Sequence, residues 1–193
     1  MKKLNRGAVL TGLVLFCVIG YLAVTGVLHQ REKPAIQAAL RDYIVADSAA
    51  RLLPESLRAP DAEVSDQALA DCVKAAETSL APFYAGESKS RDTAMRMLAD
   101  ALRNQVGGQA PRLSSLERTL RQITDFSFRG DTVAVTMQLA VQGEADAGGK
   151  SQAIEYVSWD NTVTFKKVDG EWKVLYAYLP VDNANGGMSA LWY

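Results

Sequence analysis

Apolar positions along this chain fall into three successive regimes. Residues 7–28 form an unbroken apolar run without a charge. From about residue 34 to 106, apolar residues recur every three or four positions. From about residue 123 they alternate one by one. Each regime predicts a different element: a spanning helix, amphipathic helices, and half-buried strands.

The first run reads GAVLTGLVLFCVIGYLAVTGVL. At ~1.5 Å per residue it is long enough to cross a ~30 Å hydrocarbon core. Lys2, Lys3 and Arg6 precede it, and Arg31, Glu32 and Lys33 follow. The positive-inside bias then places residues 1–6 in the cytoplasm and 29–193 beyond the membrane. That makes a single-pass cell-membrane protein anchored by residues 7–28. The rival reading is a cleaved signal peptide and a secreted product. Signal-peptide cores are shorter, ~7–15 residues, and end at small residues. Val24-Thr25-Gly26 is small, but no A-x-A site is present. Cys17 follows the bulky Phe16, which does not resemble a lipid-modification site.

Three amphipathic segments come next. The first covers about 34–53, with Pro34 as an early helical residue and Ile36, Leu40, Tyr43 and Ile44 on one stripe. Pro54 ends it, and PESLRAPDAEV reads as a polar loop. The second covers about 66–84, capped by Ser65, with Leu69, Cys72, Val73, Ala76 and Leu80 aligned. The third covers about 91–106 and stops at Gly107-Gly108.

The period then drops to two. ITDFSF and DTVAVTMQLAVQ face each other across Arg129-Gly130, and the second puts Val133, Val135, Met137, Leu139 and Val141 on one side. AIEYVSWDNTVTFKKV and EWKVLYAYLP form a second hairpin. If Asp169-Gly170 is its two-residue turn, Val168 pairs with Glu171 and Phe165 with Val174. Straight continuation of that register sets Val163 opposite Tyr176 and Asn161 opposite Tyr178. Trp159 and Trp172 then share their face. The stretch 182–193, DNANGGMSALWY, reads as a flexible tail.

Composition narrows the function classes. Residues 29–193 hold 18 of the 21 basic residues and all 22 acidic ones, a net charge of −4. Nucleic-acid binding wants a basic face, so no nucleic-acid partner is expected. His29 is the sole histidine and Cys72 the sole cysteine beyond the anchor. Neither a His/Cys metal site nor a Cys-His or Ser-His catalytic arrangement can be assembled from them. No cofactor motif occurs, since Gly107-Gly108 is a helix stop and not a phosphate cradle. Arg129-Gly130-Asp131 spells an adhesion tripeptide, but a hairpin turn explains it.

Helices first and two hairpins afterwards make an α+β domain. The strand FSFRGDTVAVTMQLAV and the ending TVTFKKVDGEWKVLYAYLP, behind three helices, resemble the NTF2-like superfamily. This is the cone fold shared by SnoaL-, VirB8- and TcpC-type proteins, and the resemblance covers about residues 33–181. It implies an extracytoplasmic domain, residues 29–181, of about three helices on a curved sheet of about four antiparallel strands. It also implies a membrane-anchored bacterial member. The superfold hosts enzymes, binding modules and assembly parts alike.

The resemblance leaves three functional expectations. The leading one is a non-enzymatic envelope protein that binds a protein partner or forms a homodimer. The second is a small-molecule pocket, for a hydrophobic ligand or an isomerase- or lyase-type proton transfer. Its lining would be Trp159, Asn161, Trp172, Tyr176, Tyr178 and Tyr43, with Asp42 or Asp125 as the carboxylate. The same aromatic residues equally suit a core packed under the helices. The third is a VirB8- or TcpC-like subunit of a secretion or conjugation apparatus. No residue is assigned a catalytic, cofactor or metal role.

Overall fold

The computed structural model describes residues 6–59, 62–146 and 149–179. The tail expected at 182–193 and the first five residues lie outside the described residues. By contacts along the backbone, the chain divides into two compact units between Gln37 and Ala38.

The N-terminal unit is helical. Helix α1 runs Arg6–Ala50 and carries Pro34 in its interior. The sequence predicts a break there, with Pro34 opening a new helix. The helix instead continues past it, because proline's fixed φ is itself helical and the missing N–H strands only the carbonyl of Gln30. This helix is long and apolar enough to cross a membrane. Val14, Phe16, Ile19 and Val24 are exposed along it.

The second unit is an α+β domain. Its elements are the end of α1, then α2 (Glu55–Arg58), α3 (Asp66–Leu80), a 3-10 turn (Ala81–Phe83) and α4 (Lys89–Val106). Four strands follow: β1 (Arg112–Arg129), β2 (Thr132–Asp146), β3 (Ser151–Val168) and β4 (Glu171–Tyr178). They form one antiparallel meander in the order β1-β2-β3-β4. The two-hairpin expectation is met, and Asp169-Gly170 closes the second with φ of 50° and 88°. Positive φ at both central residues matches the right-handed strand twist.

Helix boundaries follow local chemistry. The Ser65 hydroxyl accepts from the Ala68 N–H at 3.2 Å, and the Ser88 hydroxyl from the Arg91 N–H at 3.1 Å. Each satisfies a first-turn donor that has no helical partner. On α3, Val73, Ala76 and Leu80 are buried, while Leu69 and Cys72 sit at the stripe's margin. Cys72 is only half-buried, short of the fully covered thiol the stripe suggests.

Strand β1 begins eleven residues earlier than ITDFSF. The pairing Leu113↔Ala145 already belongs to it. Register shifts near Ser114, Arg121 and Thr124 interrupt its alternation. Inward residues therefore recur at uneven spacing: Leu113, Leu116, Arg118, Leu120, Ile123. No single period describes that series, which is why the pattern hides the strand. On β2 the alternation is unbroken, and Val133, Val135, Met137, Leu139 and Val141 are all buried as expected. With Leu40, Leu53, Leu98, Leu102 and Phe165 they make the domain's core. Burial of such side chains contributes about 1.5–3 kcal/mol each.

Candidate functional site

Two bulges decide where the expected site residues go. On β2 and β3, Met137 pairs with Asn161 but Leu139 pairs with Ser158. Trp159 and Asp160 are thus two residues facing one, and Asp160 takes φ 58°. The extra residue reverses the inward-outward parity of β3. Ser158 and Asn161 both point inward, and Trp159 is thrown outward at 57% exposure. On β4 the shift falls after Val174. Phe165 pairs with Val174 as expected, but Thr164 pairs with Tyr176 and Thr162 with Tyr178. The straight register, Val163 opposite Tyr176 and Asn161 opposite Tyr178, is corrected by that one-residue slip. Tyr176 and Tyr178 are 45% and 50% exposed on the outer face.

The six residues expected to line a pocket are therefore divided. Trp159, Tyr176 and Tyr178 lie on the outer face of the sheet. Tyr43, Asn161 and Trp172 lie on the inner side. Trp172 is half-buried, beside Lys167, whose ammonium stands 5.5 Å from its ring centre. Asn161 is fully buried, but its amide is spent on the bulge. It donates to the Ser158 carbonyl at 3.0 Å and the Met137 carbonyl at 3.4 Å, and accepts from the Ser158 hydroxyl at 3.1 Å. Asp42 and Asp125, the carboxylates suggested for proton transfer, are both exposed.

Tyr43 belongs to a polar cluster inside the domain. Its hydroxyl lies 3.0 Å from that of Tyr84, and its ring meets Phe83 and Tyr84 edge-on at 6.1 and 6.0 Å. One turn along α1, Asp47 is buried with Ser48. The Asp47 carboxylate accepts from the Arg51 Nε at 3.0 Å and from the guanidinium of Arg118 on β1. The Arg118 Nε also donates to the Ser48 hydroxyl at 2.9 Å. Gln105 on α4 extends the cluster, donating to the Arg51 carbonyl and accepting from the Leu113 N–H, each at 3.0 Å.

Electrostatics lock this arrangement. Burial alone would raise the Asp47 carboxyl, but Arg51 and Arg118 outweigh it and hold the group at about 2. Burial pushes the Tyr43 hydroxyl well above 10, and the nearby Asp47 charge adds to that. Burial opposes the charge on Arg51 as well, yet Asp47 keeps its pKa raised. A carboxylate so acidic is too weak a base to take a proton near neutral pH. It serves instead to compensate two guanidiniums in a low-dielectric interior.

Sequence reasoning reached Tyr43 and overlooked Asp47, Arg51 and Arg118. The signal was available in part. Leu40, Tyr43, Ile44 and Asp47 lie on one helical stripe, so Asp47 occupies a core position. Arg118 sits between Leu116 and Leu120 in an alternating run.

An open groove of about 600 Å³ lies where β1 and β2 start and end. Leu52, Arg58, Ser115, Glu117, Gly143 and Glu144 help line it. Arg58 closes one wall by donating to the carbonyls of Leu53 at 2.6 Å and Ser114 at 3.3 Å. Gly143 faces the β1 backbone so closely that a Cβ there would overlap the Ser115 carbonyl.

No known family profile matches the chain, and no curated protein does. Among solved structures, the chain is similar to an NTF2-like protein with a cystatin-like fold from Novosphingobium aromaticivorans. Identity there is 17%, with 89% of this chain and 96% of that one covered, at a TM-score of 0.39. It is also similar to a protein of unknown function from Mycobacterium tuberculosis, at 14% identity over 61% and 69% of the two chains, TM-score 0.35. A third is a Xanthomonas campestris protein named as a calcium/calmodulin dependent protein kinase II association domain. It shares 14% identity over 68% and 98% of the chains, TM-score 0.34.

Proposed function

We propose that this chain is a single-pass membrane protein whose second unit, outside the cytoplasm, is a non-enzymatic binding or assembly module. One observation carries the reading. The buried carboxylate of the domain is neutralised by Arg51 and Arg118, whereas three large aromatic residues stand on the open face of the sheet. Interior polar groups that are mutually satisfied stabilise a fold. Exposed Trp and Tyr rings clustered on one surface are the residues that anchor protein interfaces. The apolar helix supplies the anchor, residues 7–28, and the charge to its N-terminal side supports the orientation.

Two measurements test this. A photo-crosslinking residue in place of Trp159 or Tyr178, in the membrane-embedded full chain, is expected to trap a discrete complex. The same residue in place of Asp42 is expected to trap none. A cysteine at Lys150 is expected to react with a membrane-impermeant maleimide from outside the cell. Labelling only after the inner side is opened reverses the orientation. Turnover of a small molecule that is lost with Asp47→Asn, in a chain that still folds, overturns the non-enzymatic reading.

A further inference from the structure

We infer that the chain's own ending, Leu191-Trp192-Tyr193, seats on the outer face of the sheet against Trp159, Tyr176 and Tyr178, and that a partner binding there must displace it. This rests on the binding-module reading and names how access to that face is regulated.

The direction of the chain carries the inference. Strand β4 runs antiparallel to β3, from the pair Val168↔Glu171 to the pair Thr162↔Tyr178. It ends there, whereas β3 begins at Ser151. Residues 151–161 therefore lie beyond the last pair and have no strand on that flank among the described residues. Trp159 stands outward in that stretch. The chain leaves β4 through Tyr178 and Leu179, heading past Trp159, so residues 180–193 start at the edge of the aromatic patch. Thr162 and Thr164, paired with Tyr178 and Tyr176, make the floor between the rings low and uncharged.

The sequence of residues 180–193 suits that patch. PVDNANGGMSA, from Pro180 to Ala190, is mostly small or polar, and Leu191-Trp192-Tyr193 gathers three large side chains with two aromatic rings. Asn185-Gly186-Gly187 between them is a signal for chain reversal, which turns the ending back toward its start. Eleven residues of this composition have a typical end-to-end reach of about 18 Å. Trp159 lies three residues along β3 from the Thr162↔Tyr178 row, about 10 Å at ~3.3 Å per residue. The patch is thus within reach. So short a tether gives the ending an effective concentration on the order of millimolar, and weak offset or edge-on ring contacts then suffice to seat it. A separate partner competes against that occupant, and its apparent affinity falls with the fraction of chains left open.

The test uses the membrane-embedded full chain with Cys17→Ala and Cys72→Ala. Thr162→Cys combined with Ala190→Cys is expected to close a disulfide within one chain under mild oxidation, at protomer mass and at a rate independent of dilution. Adding Leu191→Ser, Trp192→Ser and Tyr193→Ser is expected to slow closure about tenfold, since only the tether then brings the thiols together. Equal rates overturn the inference, and so does a bond that forms only between chains. Partner capture gives the second readout. Thr136 pairs with Thr162 on the same face. A photo-crosslinking residue in its place is expected to trap about twice as much complex, or more, in the chain with the three serine substitutions. A complex whose yield those substitutions leave unchanged overturns the inference. If closure slows as expected but no complex forms in any variant, the seated ending stands and the binding-module reading falls. If closure rates are equal and a complex still forms, the binding-module reading stands and only the occupant is wrong.

Discussion

The guanidinium of Arg118 on β1 donates to the carboxylate of Asp47 on α1, 71 positions away and buried from solvent. This contact ties the end of the long helix to the sheet. It also spends the domain's buried carboxylate on structure.

Acid should unfold the domain partly through Asp47. Its folded pKa, about 2, lies below the ordinary carboxylate value. A depressed pKa gives stability that is fully present above the unfolded value and lost as pH falls through the folded one. The contribution, about 2 kcal/mol, should therefore fade between roughly pH 5 and pH 2. Urea midpoints of wild type and Asp47→Asn across that range should converge toward the acid end. Parallel curves at all pH values would refute the assignment.

Removing the carboxylate alone should cost more than removing it together with Arg118. Asp47→Ala leaves two guanidiniums without their shared anion, a loss of about 3–5 kcal/mol. Asp47→Leu combined with Arg118→Met replaces the buried pair with apolar volume and should recover much of that stability. Chemical denaturation of the single and double variants checks this. A double variant no more stable than Asp47→Ala contradicts it.

Asn161→Ala should destabilise by about 1–3 kcal/mol, because the bulge carbonyls of Ser158 and Met137 lose their donor. Thermal unfolding measures the loss. Indole fluorescence should report a changed Trp159 environment, since the bulge alone holds that ring outward.

Gly143→Ala should cost about 1–3 kcal/mol by forcing the β1 and β2 backbones apart beside Ser115. Gly130→Ala, at a turn with φ 62° and open space around it, should cost less and through backbone strain alone. Unfolding midpoints of the two variants rank the effects.

Trp159→Ser, Tyr176→Ser and Tyr178→Ser should each leave stability within about 0.5 kcal/mol, as exposed substitutions do. Association of the full chain should weaken in all three. Large destabilisation instead would show that these rings pack inside the domain.

Much of the architecture was legible along the chain. The helix cap at Ser65, the Asp169-Gly170 turn and the β2 alternation are local features, carried by a few neighbouring residues. Strand β1 was legible only in its last third, because three irregularities break its period. The candidate site was least legible. One extra residue at Trp159-Asp160 and another after Val174 reversed the faces of three residues, Trp159, Tyr176 and Tyr178, that a straight register places with Asn161 and Trp172.

By itself, then, the sequence determined an apolar run long enough to span a membrane, an acidic α+β domain, and the residue types for an aromatic surface. Only the tertiary structure decided which aromatics face outward and that Asp47 meets Arg118. Periodicity records the direction of a side chain relative to its neighbours in one element. A bulge resets that direction, and a contact between a helix and a strand depends on how they pack. Neither is written in the spacing of residues along either one.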